Sequence, residues 1–186
     1  AIFSHPGIGE SRGYNYSRES NPTRAYLEEI ISNLEGAVDT VACSSGMAAI
    51  SLVLELFSSG DHLICSNDLY GGSTRLFTLQ QNKGLKFSYV DTTNLKSFKQ
   101  YIRPQTKAVF IETPSNPTMQ ISDLKKISAL CQAHKLLLIV DNTFLSPYFQ
   151  NPLLLGADIV IHSATKFLSG HNDIIAGSIS TGDHKL

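Results

Sequence analysis

Short apolar runs separated by segments of helical length constrain this chain more than any other feature. The runs lie at His62 to Cys65, Phe87 to Val90, Ala108 to Ile111, Leu136 to Val140 and Asp158 to Ile161, with Ile174 to Ser180 as a further strand candidate. Between them, Ser73 to Gln81, Asn94 to Ile102 and Asp123 to His134 read as helices, the last placing Leu124, Ile127, Leu130 and Cys131 on one face. Alternation of this kind predicts an α/β chain, a mainly parallel sheet between helices and buried on both faces. Two helices precede it. One follows Ser20-Asn21-Pro22, with Leu27, Ile30, Ile31 and Leu34 at helical spacing up to Gly36. The other starts near Ser45-Gly46, runs to Phe57 and is apolar around most of its circumference, which predicts burial. Residues 1–20, rich in Gly, Ser, Tyr and Arg without a period, read as an arm ahead of one domain spanning 21–186.

Composition removes several functions. At 42% hydrophobic residues the chain is too apolar to stay disordered, and 15 Lys plus Arg against 16 Asp plus Glu leave no basic footprint for nucleic acid or an anionic membrane. Apolar stretches such as Leu136 to Val140 fall far short of the roughly 20 residues that span a bilayer. Cys43, Cys65 and Cys131 form no CxxC pair, so neither a disulfide framework nor a thiolate zinc site is expected, and a reducing cytoplasm fits. The 6 histidines form no metal-ligating cluster in sequence, and no metal is expected. The opening Ala1-Ile2-Phe3 has neither an initiator Met nor the layout of a signal peptide and reads as a fragment or processed form.

In parallel sheets the chemistry gathers at the carboxyl ends of the strands. Asp141 directly follows Leu136 to Val140, where an unpartnered carboxylate would be costly; a turn former or helix cap is the plain alternative. Lys166 follows Asp158 to Ile161 with hydroxyls at Ser163 and Thr165. Partial desolvation would make its amine a nucleophile for Schiff-base chemistry, and the hydroxyls can donate to phosphate; a snorkelling surface lysine is the alternative. Ser44-Ser45-Gly46-Met47 opens a helix whose free amides suit an anion, or is only a serine cap. Tyr70, before Gly71-Gly72, offers a ring for stacking, or packs under a turn. Taken together, phosphate cradle, aromatic plate, buried acid and lysine suit one ligand, pyridoxal 5'-phosphate.

At these residues the chain resembles the pyridoxal-phosphate enzymes of cysteine and methionine metabolism, the group of cystathionine gamma-synthase, cystathionine beta- and gamma-lyases and acylhomoserine sulfhydrylases. The likeness runs through Tyr14-Asn15-Tyr16-Ser17-Arg18, Asn21-Pro22-Thr23-Arg24, Ser44 to Ala49, Asp68 to Gly72, Glu112 to Pro117, Val140 to Phe144 and His162 to Lys166. It implies the large domain of the aspartate-aminotransferase fold, type I. Lys166 would hold the cofactor covalently and shuttle protons, Asp141 would pair with the pyridine nitrogen, Tyr70 would stack on the ring and Asn116 would sit near its phenolic oxygen. Gly46, Met47, Ser163 and Thr165 would hold the phosphate. Tyr16 and Arg18 would reach a neighbouring subunit and complete its site, Tyr16 joining Lys166, Tyr70 and Asp141 among the catalytic groups, within a homo-oligomer, a tetramer built from dimers. A smaller C-terminal domain, which in the family carries the arginine for the substrate carboxylate, is expected to be missing.

The implied substrate is a sulfur-containing or acylated amino acid. Gly7 to Ser11 and Ser169 to Asp173 look more like synthase-type members, which implies an acylated homoserine plus cysteine giving cystathionine; beta-, gamma- or methionine gamma-lyase cleavage is the alternative. Two readings come from other classes. A nucleotide-binding dehydrogenase would need Gly-x-Gly-x-x-Gly after a first strand, and none occurs; a non-catalytic fragment retaining the fold is the other.

Overall fold

Asn21 and Pro22 start the first helix as their chemistry requires. The Asn21 side chain accepts a hydrogen bond from the Arg24 N–H at 2.8 Å, and Pro22 lies in the first turn, where its missing N–H is no loss. Helix α1 (Pro22–Glu35) stops at Gly36, whose φ of 65° suits a residue without Cβ. The computed structural model describes residues 1–186 apart from the side chain of Ser97. After α1 come β1 (Asp39–Cys43), α2 (Gly46–Leu54), β2 (His62–Ser66), α3 (Gly71–Gln81), β3 (Lys86–Val90), α4 (Leu95–Lys99) and β4 (Thr106–Glu112). They are followed by α5 (Leu124–His134), β5 (Leu137–Asp141), α6 (Ser146–Phe149), a 3-10 turn at Pro152–Leu155, β6 (Ile159–His162) and β7 (Gly177–Thr181).

The 7 strands form one sheet in the order β1-β7-β6-β5-β4-β2-β3. The run β6-β5-β4-β2-β3 is parallel, and β7 lies antiparallel to both β6 and β1. Two apolar layers explain why the strands read as continuous hydrophobic runs. Val109 and Ile111 of β4 pack in one layer with Leu124, Ile127 and Cys131 of α5. Ala108 and Phe110 of the same strand pack in the other with Ile50 and Val53 of α2 and Phe77 of α3. Burying one such side chain stabilises the fold by about 1.5–3 kcal/mol, so the central strands dominate the core.

Several details depart from expectation. β1 was not expected, because only Thr40 is buried in it. It is joined instead through hydroxyls: Ser32 Oγ donates to Thr40 Oγ1 at 2.8 Å, which lies 2.8 Å from Ser180 Oγ. α2 stops at Leu54 rather than Phe57, and α4 at Lys99 rather than Ile102. Beyond both ends the chain tightens into turns in which an N–H reaches three residues back, as from Phe57 to Leu54 and from Tyr101 to Phe98. α3 begins two residues early, at Gly71, and α6 and the 3-10 turn are too short to carry a period. The arm folds back on itself, with Phe3 N–H donating to Asn15 O at 3.0 Å and Ser17 N–H to Ala1 O at 2.9 Å. Among the described residues no helix is long and apolar enough to cross a membrane.

The chain leaves β2 outward to β3 and returns on the other side of β2 to β4, β5 and β6. Loops after β2 and β4 therefore part in opposite directions, opening a crevice at their carboxyl ends.

Candidate active site

A cavity of about 310 Å³ occupies that crevice, and Gly46, Met47, Tyr70, Asn116, Asp141, Ser163, Thr165 and Lys166 all line it. Eight of the residues singled out in sequence, from separate elements and loops, thus meet in one place.

One end is the start of α2. Ser45 caps the helix by accepting from Ala48 N–H at 3.0 Å, while no hydrogen bond engages the Gly46 and Met47 N–H groups among the described residues. Free amides at a positive dipole end attract an anion. Gly46 lets the helix approach the turn after β6: a Cβ here would lie 2.7 Å from Ser163 Cβ. Ser163 Oγ has no partner among the described residues, so it can donate into the cavity. The Thr165 hydroxyl is otherwise engaged, donating to Ala176 O and accepting from Ala176 N–H, both at 3.1 Å. It must turn away from Ala176 to reach a ligand.

At the other end Asp141 closes β5 with 7% of its surface exposed. Thr143 N–H and Oγ1–H both donate to its Oδ1, at 3.1 and 2.5 Å, and Thr143 Oγ1 accepts from Ser163 N–H at 2.9 Å. Thr143 thereby ties the β5 end to the turn after β6. No hydrogen bond engages Asp141 Oδ2 among the described residues, which leaves it as an acceptor for a ligand N–H. Burial raises the Asp141 pKa against the opposing pull of the Thr143 bonds and the nearby His162.

Lys166 corrects one expectation. β6 ends at His162, and Lys166 stands in the turn beyond it, exposed at the cavity mouth rather than desolvated. The strand's burial does not extend through the intervening turn. Its Nζ has no hydrogen bond or ion pair among the described residues and is available to a ligand. Tyr70 is 47% exposed, its ring stacked so closely on the start of α3 that a Cβ at Gly72 would lie 2.4 Å from Tyr70 Cε1. Asn116 is placed by its loop: Asp68 Oδ2 accepts from the Ser115 hydroxyl, from the Thr118 hydroxyl and from Thr118 N–H at 3.0 Å. Those bonds hold the Asp68 pKa below the usual carboxylate value.

Tyr16 and Arg18 are not among the residues lining the cavity of their own chain. On the arm, Arg18 donates to Tyr16 Oη and its guanidinium lies 5.0 Å from the Tyr16 ring centroid. Among the lining residues given no role from sequence are two polar ones, Thr143 and Glu112. Thr143 gave no sign before its two-way bonding was known. Glu112 did, since it follows Ala108 to Ile111 as directly as Asp141 follows its own apolar run.

Open amides against a glycine-dependent contact, an unshared Oδ2 on a buried acid and a free amine are the groups that the phosphate, pyridine nitrogen and aldehyde of pyridoxal phosphate require, so the residues fit that cofactor.

The family model described as "Cys/Met metabolism PLP-dependent enzyme" matches residues 2–186. The chain is 54% identical over 185 residues to a Bacillus subtilis protein named cystathionine gamma-synthase/O-acetylhomoserine (thiol)-lyase, covering 99% of this chain and 50% of that protein. It is 49% identical over 187 residues to a cystathionine beta-lyase of Lactococcus lactis subsp. cremoris, covering 100% of this chain and 49% of the relative. Among solved structures, a cystathionine gamma-lyase from Lactobacillus plantarum complexed with L-serine superposes with a TM-score of 0.94 at 48% identity, over 98% of this chain and 48% of that one. The chain spans about half the length of the curated relatives it matches.

Proposed function

The chain belongs to the Cys/Met metabolism PLP-dependent enzyme family, and from that premise we propose that it supplies the cofactor-binding half of an enzyme that makes or breaks carbon–sulfur bonds in amino acids. The convergence of a free lysine amine, a buried aspartate and open helix amides in one cavity carries this reading. Pyridoxal phosphate, when bound, supplies an aldehyde that condenses with amines and a ring that takes up electron density from the adjoining carbon.

Each residue then has a task set by its place. Gly46 and Met47 N–H and the Ser163 hydroxyl hold the phosphate. Asp141 Oδ2 accepts the pyridine N–H, held in orientation by Thr143 on Oδ1. Tyr70 and Asn116 line the same cavity, where Tyr70 would stack on the ring and Asn116 would orient its phenolic oxygen. Lys166 Nζ would hold the cofactor through its aldehyde and, as a free amine, would take the substrate's Cα proton. Tyr70 Oη is the candidate to give or take a proton at the departing or arriving sulfur. Tyr16 and Arg18 serve the phosphate site of a second copy, which makes a homo-oligomer, a tetramer of paired dimers, the working form. Three free cysteines, Cys43, Cys65 and Cys131, suit a reducing cytoplasm.

The finer reading is gamma-synthase chemistry, an acylated homoserine plus cysteine giving cystathionine. Support comes from the Gly7 to Ser11 and Ser169 to Asp173 stretches and from the 54% identity to the Bacillus protein. The likeness to the Lactococcus beta-lyase favours cleavage of cystathionine as the second reading. Assay of the full-length protein with acylhomoserine plus cysteine, with cystathionine and with methionine separates them. Absorbance tests the premise: a cofactor band is expected, and its persistence as a Schiff base in Lys166→Ala would overturn the assignment of that lysine.

A further inference from the structure

Glu112 has no part in the scheme above, although it lines the same cavity with 5% of its surface exposed. It ends β4 directly opposite Asp141 on β5, the two strands being parallel and in register there. Its Oε2 accepts the Tyr70 N–H at 2.7 Å across the crevice between β2 and β4, and no hydrogen bond engages Oε1 among the described residues. We infer that Glu112 is a positioning residue: its carboxyl ties the Tyr70 backbone to the end of β4 and, as the protonated partner of Asp141, leaves the site's negative charge on Asp141. This rests on the reading that the cavity takes pyridoxal phosphate.

Side-by-side carboxyls in a water-poor site do not both ionise at neutral pH. Their surroundings decide which keeps the proton. Burial raises the Asp141 pKa as well, but Asp141 receives two hydrogen bonds from Thr143 and feels His162 of β6, all of which favour its anion. Glu112 receives one N–H and faces two acids, Asp141 of β5 and Asp68 of the segment after β2. The other ionisable groups around the cavity are Lys166 at its mouth and the Tyr70 phenol; α2 carries no titratable side chain, and Arg75 of α3 stands beside Gly71. Burial first, then Asp141, pushes the Glu112 pKa up to about 8. At neutral pH Glu112 is therefore neutral, able to accept from Tyr70 through its carbonyl oxygen without adding a second charge beside the pyridine nitrogen.

Glutamine reproduces the neutral form and alanine removes the tie, so the two substitutions separate the roles. In the full-length protein Glu112→Gln is expected to bind added pyridoxal phosphate within about threefold of wild type, and Glu112→Ala about tenfold more weakly. Infrared difference spectra of wild type against Glu112→Gln, taken without cofactor, should show a protonated-carboxyl band that fades as pH rises through about 8. Absence of that band at neutral pH, or Glu112→Gln losing as much affinity as Glu112→Ala, overturns the proposal. Should wild type take up no pyridoxal phosphate, the functional reading fails instead, and the cofactor-free band still decides where the proton lies.

Discussion

The α2 end of the cavity presents backbone amides and a hydroxyl, fixed by a contact so close that only glycine allows it. The β4–β5 end presents two carboxyls, fixed by strand register and withheld from water. Amides carry no titratable proton, so the first end presents the same face at any pH near neutrality. The second depends on which carboxyl holds a proton, and hence on pH and on every charge nearby. One end thus offers fixed dipoles and the other a group whose charge responds to pH.

Substitutions at each end should break the comparison differently. The largest effect is expected for Asp141→Ala, which removes the only carboxylate supported by Thr143; activity of the full-length enzyme should fall by about 10²–10³-fold with the fold intact by circular dichroism. Retention of wild-type activity would show that the charge at this end is dispensable. Next comes the pH dependence of stability. The Glu112 pKa is raised on folding to about 8, so between the ordinary carboxylate range and that value the folded state holds a proton that the unfolded chain has released. Stability therefore falls as pH rises through this window, by on the order of a few kcal/mol. Urea unfolding should show that slope in wild type and a flatter one in Glu112→Gln.

Gly46→Ala ranks third. The added methyl must push Ser163 away, at a cost of about 1–3 kcal/mol, seen as weaker cofactor binding with an unchanged pH profile. A pH profile altered by this variant would mean that the two ends are coupled. Thr143→Val should have the smallest effect, about 1–2 kcal/mol by denaturant titration, because it removes one hydroxyl from a bridge that retains the Thr143 N–H bond to Asp141.

Much of this was legible in residue order. Apolar runs located the central strands, and the residues following them located Asp141 and the Lys166 turn. Glu112 carried the same mark as Asp141 and was passed over, because a carboxyl after an apolar run gains meaning only when its neighbour across the sheet is known. β1 carries no apolar run for a related reason: it is held by pairing with β7 and by hydroxyls on Ser32, Thr40 and Ser180, all far apart in the chain. Lys166 shows the converse, since nearness to a buried strand in sequence does not imply burial of a side chain in the turn beyond it.

Sequence alone determined which central segments are buried on both faces, where α1 and α2 begin and which residue types stand at the strand ends, because these follow from local periodicity, capping and the cost of burying charge. Only the tertiary structure decided that Glu112 faces Asp141, that Thr143 joins two strand ends and that Gly46 presses against Ser163. Those facts depend on strand order and register, which bring together residues distant in the chain and which no local pattern encodes.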